Sequence, residues 1–180
     1  FNKLSKNNIC AATIKSNAYG LGDEKIYSLL LNNGCKHFFV ATIDEGIKIN
    51  NKNNNIKIYV LNGIQNYNLN IFKKNKLIPI INTESELKKI IKTNYQFGIH
   101  VDTGINRLGI SYRKIPTHIY NNKNITIVIS HLASADEKNN NYNNIQKNRF
   151  LEISKKFSNK KIIFSLSNSN GSILSKSFLF

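Results

Sequence analysis

At 180 residues and 20.5 kDa, the chain is long enough for one domain with a substantial core. Hydrophobic residues make up 41% of it and charged residues 20%, which indicates a globular rather than a disordered protein. A net charge of +16 is typical of nucleic-acid-binding proteins, but the lysines are scattered beside asparagines over the whole length. Arginine, the better reader of bases, occurs only at positions 107, 113 and 149, so we expect no nucleic-acid partner.

Other classes of protein are excluded by what the sequence lacks. No apolar run approaches the roughly 20 residues that span a bilayer, so no membrane partner is expected. The cysteines, Cys10 and Cys35, lack metal-ligand spacing, which predicts reduced thiols, no bound metal and a cytoplasmic location. The chain has no methionine and ends on an apolar stub at residues 177–180, so we expect truncation at both ends.

Short β-branched runs alternate along the chain with stretches of helical spacing. The predicted strands are residues 9–14, 37–41, 56–61, 77–81, 97–102, 125–130 and 161–165. The predicted helices are residues 23–33, 43–49, 83–91 and 144–157, with Thr83 as a cap and an apolar stripe of Ile145, Phe150, Ile153 and Phe157 on the last. This alternation predicts an α/β fold with a parallel sheet.

The number of strands narrows the choice among α/β folds. Seven strands are too many for most doubly wound domains of this size and one fewer than an eight-stranded barrel needs. We therefore predict an incomplete (β/α)8 TIM-type barrel that occupies residues 1–180 as one domain. Because such barrels carry their active sites at the carboxyl ends of the strands, the residues there are the candidates for chemistry.

The first strand leads into Lys15, which is followed by Tyr19 and by glycines that allow a tight turn. A partly desolvated lysine at the mouth of a barrel can act as an amine nucleophile, and such lysines hold pyridoxal phosphate covalently. Tyr19 offers a hydroxyl on a rigid ring. Most lysines are solvated surface charges, however, and position alone leaves both interpretations of Lys15 open.

The fifth strand is followed by a loop in which Gly104 and Gly109 flank Arg107. A guanidinium presented by a shaped loop suits a carboxylate through paired hydrogen bonds. The alternative is a structural pair between Asp102 and Arg107 within the loop.

Polar side chains also follow the last two predicted strands. His131 comes directly after residues 125–130 and could stack on a ring or act as an acid or base, although a lone histidine is more often structural. Asn168 and Ser169 precede a helix-like segment, where small polar residues favour phosphate.

Taken together, these strand ends resemble the alanine racemase family in order and spacing. The family's lysine motif matches residues 15–22 except at Ser16 and Leu21, and its arginine loop matches residues 101–109 with Ile105 in place of methionine. Its histidine and serine segments resemble residues 130–137 and 167–169. The resemblance covers essentially the whole chain and corresponds to the N-terminal barrel domain of the family, without the C-terminal β domain.

The resemblance implies pyridoxal 5'-phosphate as the cofactor and interconversion of L-alanine and D-alanine, which supplies peptidoglycan precursors in the bacterial cytoplasm. It implies that Lys15 holds the cofactor and is the base on one face of the substrate, while a tyrosine from the partner subunit of a homodimer acts on the other. The remaining implied roles are phosphate binding by Tyr19 and Ser169, cofactor contact by Asn168, packing of His131 against the pyridine ring, and placement of Arg107 beside the phenolic oxygen and the substrate carboxylate.

The sequence departs from the family in three further respects. His100 stands where many members have a lysine that becomes carbamylated and braces the arginine, so Arg107 must be oriented another way, with His100 as one candidate. The family's eighth strand and second catalytic base lie beyond residue 180, so the chain alone is expected to be inactive. The alternatives are a non-catalytic remnant of a racemase, or a pyridoxal phosphate carrier or amino-acid decarboxylase of the same barrel superfamily, which the Arg107 loop fits poorly.

Overall fold

The structure, a computed structural model, describes residues 9–49, 55–66 and 68–180. These residues divide into two compact units, 9–81 and 82–180. Each unit contains parallel strands with helices in the connections between them. No helix within the described ranges is long and apolar enough to cross a membrane.

The first unit alternates strands with helices. Its described elements are β1 (Ala11–Thr13), α1 (Lys15–Tyr19, a left-handed turn and not a regular α-helix), α2 (Asp23–Asn32), β2 (His37–Val40), α3 (Ile43–Ile49), β3 (Lys57–Val60), α4 (Leu69–Lys74) and β4 (Leu77–Ile81). The strands pair in parallel in chain order, with Phe38 on β2 opposite Ile58 on β3. All five residues of β4 are buried, as expected of a parallel strand that is covered on both faces.

The second unit continues the alternation. Its described elements are α5 (Glu84–Ile90), β5 (Phe97–Asp102), β6 (Ile110–Ser111), a 3-10 helix (Thr117–Asn121), β7 (Ile125–Ile129), α6 (Asn141–Ser154), β8 (Ile163–Ser165), α7 (Gly171–Leu174) and a second 3-10 helix (Lys176–Phe178). β7 lies between β5 and β8 and is parallel to both, while the two-residue β6 pairs with the end of β5. Phe164 of β8 packs edge-on against Phe150 of α6 and against Phe157.

All seven predicted strands are present. β4 and β5 have the predicted bounds, and the other five are shorter, the first contracting from residues 9–14 to Ala11–Thr13. The predicted cap of α5 is confirmed, because the Thr83 hydroxyl oxygen accepts a hydrogen bond from the Glu86 N–H at 3.1 Å. The sequence did not predict β6 or α4, since elements of two and six residues carry too little periodicity.

The bounds predicted for the last long helix, residues 144–157, are wrong at both ends. α6 begins three residues earlier, at Asn141, because Asn140 caps it by accepting a hydrogen bond from the Tyr142 N–H at 2.9 Å. It ends at Ser154. The asparagine-rich tract before the helix reads as a solvated turn in the sequence, but its last member is a helix cap.

The predicted apolar stripe of α6 is only partly correct. Phe150 and Ile153 are fully buried and Phe157 is buried, but Ile145 is 38% exposed. Gln146 takes the inward position beside it and is completely buried. The inner face of α6 is therefore apolar in its second half and polar in its first.

This division of α6 can be tested by truncating one side chain from each part. Phe150→Ala should lower the free energy of unfolding by about 3–5 kcal/mol, because it leaves a cavity beneath the helix. Ile145→Ala should lower it by about 1 kcal/mol or less, because that side chain is already partly exposed. Urea denaturation followed by circular dichroism measures both, and equal losses would contradict this assignment of the buried face.

Candidate active site

Lys15 begins a left-handed turn at the carboxyl end of β1. The backbone φ angles of Ser16, Asn17 and Ala18 lie between 52° and 54°, and that of Tyr19 is 57°. Left-handed backbone costs about 1–2 kcal/mol for each residue with a side chain, so four in succession store considerable strain. Strain of this kind concentrates at functional sites, where the surrounding structure maintains it.

A carboxylate on α3 holds this turn in place. Glu45 Oε1 accepts a hydrogen bond from the Ser16 N–H at 2.8 Å, and Oε2 accepts from the N–H groups of Ala41 and Thr42 at 2.7 and 3.3 Å. Glu45 thereby connects the residue that follows Lys15 to the end of β2. Charge-assisted bonds to backbone N–H groups are stronger than neutral ones, so this contact can oppose the strain of the turn.

The far side of the turn is tied to α2. The Asn17 side-chain oxygen accepts a hydrogen bond from the Asp23 N–H at 3.0 Å. Asp23 is itself buried and forms an ion pair with Lys48 at 2.8 Å, and this hydrogen-bonded partner lowers the pKa of the Asp23 carboxyl. Within the first unit, Lys15 and Tyr19 thus lie on one braced turn, Lys15 half-buried and Tyr19 exposed.

The Arg107 loop is shaped by Asp102, the last residue of β5. Asp102 Oδ1 accepts hydrogen bonds from the N–H groups of Gly104 at 2.8 Å and Asn106 at 3.2 Å. Among the described residues, no ion pair joins Asp102 to Arg107, so the alternative of a structural pair is not supported. Arg107 is exposed, and its guanidinium is available to an anionic ligand.

His100 lies beneath this loop and is 5% exposed. Its Nδ1 donates a hydrogen bond to Asn82 Oδ1 at 3.1 Å, while its buried Nε2 has no hydrogen-bond partner within the described residues. Burial, followed by the charge of His131, lowers the His100 pKa to about 4, with a further contribution from Arg107 and an opposing one from Asp102. His100 is therefore a neutral imidazole close enough to Arg107 and His131 to interact with both.

Gly109 closes the loop over His100. A Cβ added at this glycine would lie 2.9 Å from the His100 carbonyl oxygen and 3.0 Å from its ring carbon Cδ2. The φ angle of Gly109 is also positive, at 106°, so any other residue would be both crowded and strained here.

His131 and Asn168 lie beyond the ends of β7 and β8. His131 is half-buried, and its backbone carbonyl accepts a hydrogen bond from Gln146 Nε2 at 3.0 Å. Asn168 shapes the last turn, because its side-chain oxygen accepts from the Gly171 N–H at 2.8 Å. Ser169 is exposed in that turn, and its carbonyl accepts from the Ser172 hydroxyl at 2.7 Å.

Comparisons with known proteins identify the family of the chain. The sequence profile of the family described as "Alanine racemase, N-terminal domain" matches residues 2–180. The chain belongs to this family. It is 34% identical over 188 residues to an alanine racemase of Rickettsia bellii and 35% identical over 187 residues to that of Rickettsia typhi. These alignments cover 98% and 96% of the chain but 45% of each relative, so the chain spans about half the length of the curated relatives it matches.

Solved structures give the same result. The chain superposes with a TM-score of 0.87 and 30% identity on a Bartonella henselae alanine racemase with covalently bound pyridoxal phosphate, over 100% of this chain and 56% of that one. A biosynthetic alanine racemase from Pseudomonas aeruginosa gives a TM-score of 0.81 at 19% identity, over 99% of this chain and 51% of the other. The predicted α/β class and incomplete barrel are confirmed, as is the resemblance to the family.

Three residues that support the predicted ones carry no signal in the sequence. Glu45 reads as one more acidic residue in the first turn of a helix, and Asn82 and Gln146 read as parts of polar stretches. All three act through hydrogen bonds to groups distant in the chain, and no spacing within one element reveals such bonds.

The left-handed turn predicts an unusual sensitivity at Ser16. Ser16→Val should lower the free energy of unfolding by about 1–2 kcal/mol, because a β-branched side chain is strained at positive φ. Ser28→Val on the exposed face of α2 is the matched control and should change it by no more than about 0.5 kcal/mol. Urea denaturation of both variants makes the comparison, and equal effects would be inconsistent with a left-handed turn.

The buried His100 predicts a loss of stability in acid. Because its pKa falls from 6.5 in the unfolded chain to about 4 in the folded one, the unfolded state binds the proton first as the pH drops. The free energy of unfolding should therefore fall by up to about 3 kcal/mol between pH 7 and pH 4 because of this group. His100→Gln should remove that part of the pH dependence, and His118→Gln, at an exposed histidine, should leave it unchanged. Identical pH profiles for the two variants would refute the assignment.

Proposed function

We propose that the chain is the pyridoxal phosphate-binding domain of an alanine racemase, which interconverts L-alanine and D-alanine. The observation that carries this proposal is Lys15 at the end of β1, on a left-handed turn braced by Glu45, in a chain whose family match spans residues 2–180. A lysine on a rigid strand end can be held in one geometry, which a covalent cofactor requires. The proposed setting is the bacterial cytoplasm, where D-alanine enters peptidoglycan synthesis.

The residues present fit the cofactor in chemical kind. Lys15 offers a primary amine for the aldehyde, and the exposed Tyr19 and Ser169 offer hydroxyl groups for the phosphate. The exposed Arg107 offers a guanidinium for the substrate carboxylate. When bound, pyridoxal phosphate supplies an electron sink for the pair left on the α-carbon after deprotonation.

The proposed roles follow from these groups. Lys15 holds the cofactor and moves the α-proton on one face of the substrate. Asn168 sets the turn that presents Ser169, since its side chain bonds the Gly171 N–H. His131, half-buried beyond β7, packs against the cofactor ring, and Arg107 pairs with the substrate carboxylate and approaches the phenolic oxygen of the cofactor.

Inversion at carbon requires a proton-transfer group on each face of the substrate, and each is typically worth about 10²–10⁴-fold in rate. The proposed roles assign only Lys15 to this task. We therefore propose that a second group comes from outside these 180 residues, in a homodimer. The 180-residue chain by itself should bind the cofactor and give negligible racemisation.

The assignment of Lys15 is tested by trapping the cofactor on the folded chain. The protein is mixed with pyridoxal phosphate, reduced with borohydride to make the attachment permanent, and digested for mass spectrometry. The phosphopyridoxyl group should map to Lys15 and disappear in Lys15→Ala. Lys25→Ala, at an exposed lysine of α2, is the matched control and should keep the label at Lys15.

Three outcomes would contradict this proposal in whole or in part. Labelling spread over many lysines, unchanged by Lys15→Ala, would show that no specific cofactor site exists and would favour a non-catalytic remnant. Rapid racemisation of L-alanine by the 180-residue chain alone would show that a second base lies within it. Release of carbon dioxide from an amino acid would instead favour a decarboxylase.

A further inference from the structure

Gln146 is the most completely buried polar side chain of α6, with no exposed surface. Its amide forms three hydrogen bonds: Oε1 accepts from the Ala133 N–H at 2.8 Å, and Nε2 donates to the His131 carbonyl at 3.0 Å and to Thr103 Oγ1 at 3.2 Å. One side chain therefore binds the backbone on both sides of the loop residue Leu132 and also the start of the Arg107 loop.

The third of these bonds extends into a second connection between the loops. Thr103, which is 0% exposed, shares a hydrogen bond of 2.8 Å with the hydroxyl of Ser130, the residue before His131. Thr103 also begins the loop that carries Arg107. Gln146, Thr103 and Ser130 thus form a buried polar network that joins the ends of β5 and β7.

The same helix also binds the backbone of the first two residues of the Arg107 loop. Arg149 Nη1 donates to the Thr103 carbonyl at 2.8 Å, and the Tyr142 hydroxyl donates to the Gly104 carbonyl at 2.9 Å. A Cβ at Gly104 would lie only 2.8 Å from Arg149 Nη1 and closer still to the Tyr142 hydroxyl, so a side chain there would displace both groups from their present positions. Side chains of α6 thus hold the backbone of the loop from which Arg107 projects.

Two of the three partners of Gln146 are backbone groups, the Ala133 N–H and the His131 carbonyl, which no substitution removes. An apolar residue at position 146 would leave both without this partner, so the amide contributes to stability. What the amide adds beyond stability is geometric: it accepts from one backbone group and donates to two other groups, which fixes the relative position of the two loops. Fully satisfied buried networks specify one arrangement in this way.

We propose that Gln146 is a positioning residue that sets Arg107 and His131 in a fixed relation for cofactor and substrate. It contacts neither reacting group and acts through the Thr103 and His131 backbone segments. This inference rests on the proposed function, because fixed positions of Arg107 and His131 matter only if these residues bind the cofactor and the substrate.

The test compares two buried amides of α6. Gln146→Leu removes all three hydrogen bonds of this side chain. Gln146→Glu keeps an oxygen that accepts from the Ala133 N–H, but it replaces the NH₂ group that donates to Thr103 and to the His131 carbonyl with a second oxygen. Asn143→Leu is the matched control: Asn143 is 2% exposed and donates to the carbonyls of Ser134 and Glu137, so its loss destabilises the same helix without touching Thr103 or His131.

The first readout needs no cofactor. In chains labelled with ¹⁵N-histidine, the His131 ring resonances should shift in both Gln146 variants and stay at the wild-type positions in Asn143→Leu. The second readout is the dissociation constant for pyridoxal phosphate, which should rise at least tenfold in both Gln146 variants and less than twofold in the control. Both are measured under conditions in which circular dichroism shows every variant folded.

The outcomes separate this inference from the proposed function. If the wild-type chain does not bind pyridoxal phosphate, the proposed function fails, while the His131 resonances still test the role of Gln146. Gln146 variants that match wild type, or that lose no more affinity than Asn143→Leu, would overturn the inference. If neither Gln146 variant folds, amide hydrogen exchange on the wild-type chain decides: slow exchange at the exposed residue Ala133 supports a persistent bond to Gln146, and fast exchange overturns it.

Discussion

A backbone group beyond the end of a parallel strand needs a hydrogen-bond partner, because an unsatisfied group in the interior costs about 1–3 kcal/mol. Some of these groups bond to a neighbouring strand, and others bond to side chains on the neighbouring helices. In the first unit, Glu45 accepts from three backbone N–H groups at the ends of β1 and β2. In the second unit, Gln146 satisfies the His131 carbonyl and the Ala133 N–H beyond β7. The loops that carry the candidate site are therefore held by helix side chains.

Periodicity was sufficient to predict the strands and most of the helices. β4 and β5 are continuous apolar runs, and burial on both faces makes their bounds visible in the sequence. The strand-end positions of Lys15, Arg107 and His131 follow from the same pattern. The left-handed turn after Lys15 does not, since Ser16 and Ala18 carry no local preference for positive φ, and Asn17, which tolerates it, does not by itself specify a run of four such residues.

The first half of α6 shows why the supporting residues escaped prediction. Its inner face is polar at Asn143 and Gln146, and its apolar Ile145 faces outward, so the amphipathic pattern on which helix prediction depends is inverted there. Helix propensity and apolar periodicity predict which face of a helix is buried only where the helix packs against a uniformly apolar core. Here the helix packs partly against loop backbone, and polar side chains are the ones that satisfy it.

His100 illustrates a different limit. The sequence shows a histidine at position 100 where the family often has a lysine, but it does not show whether that histidine is charged. In the structure its Nδ1 is committed to Asn82 and its environment contains the positive Arg107, so protonation is opposed from both the interior and the loop. A neutral imidazole at His100 adds no positive charge beside Arg107.

Glu45 in one unit and Gln146 in the other suit the kinds of backbone group, donor or acceptor, that each side chain bonds. Glu45 meets only N–H groups, from Ser16, Ala41 and Thr42, and a carboxylate is the side chain that accepts without also presenting a donor. Gln146 meets a carbonyl at His131 and an N–H at Ala133, and among side chains of that length only an amide both donates and accepts. Exchanging the two residue types would leave a donor facing N–H groups in the first unit and an acceptor facing a carbonyl in the second. The chemistry of each strand end thus determines the side chain that supports it.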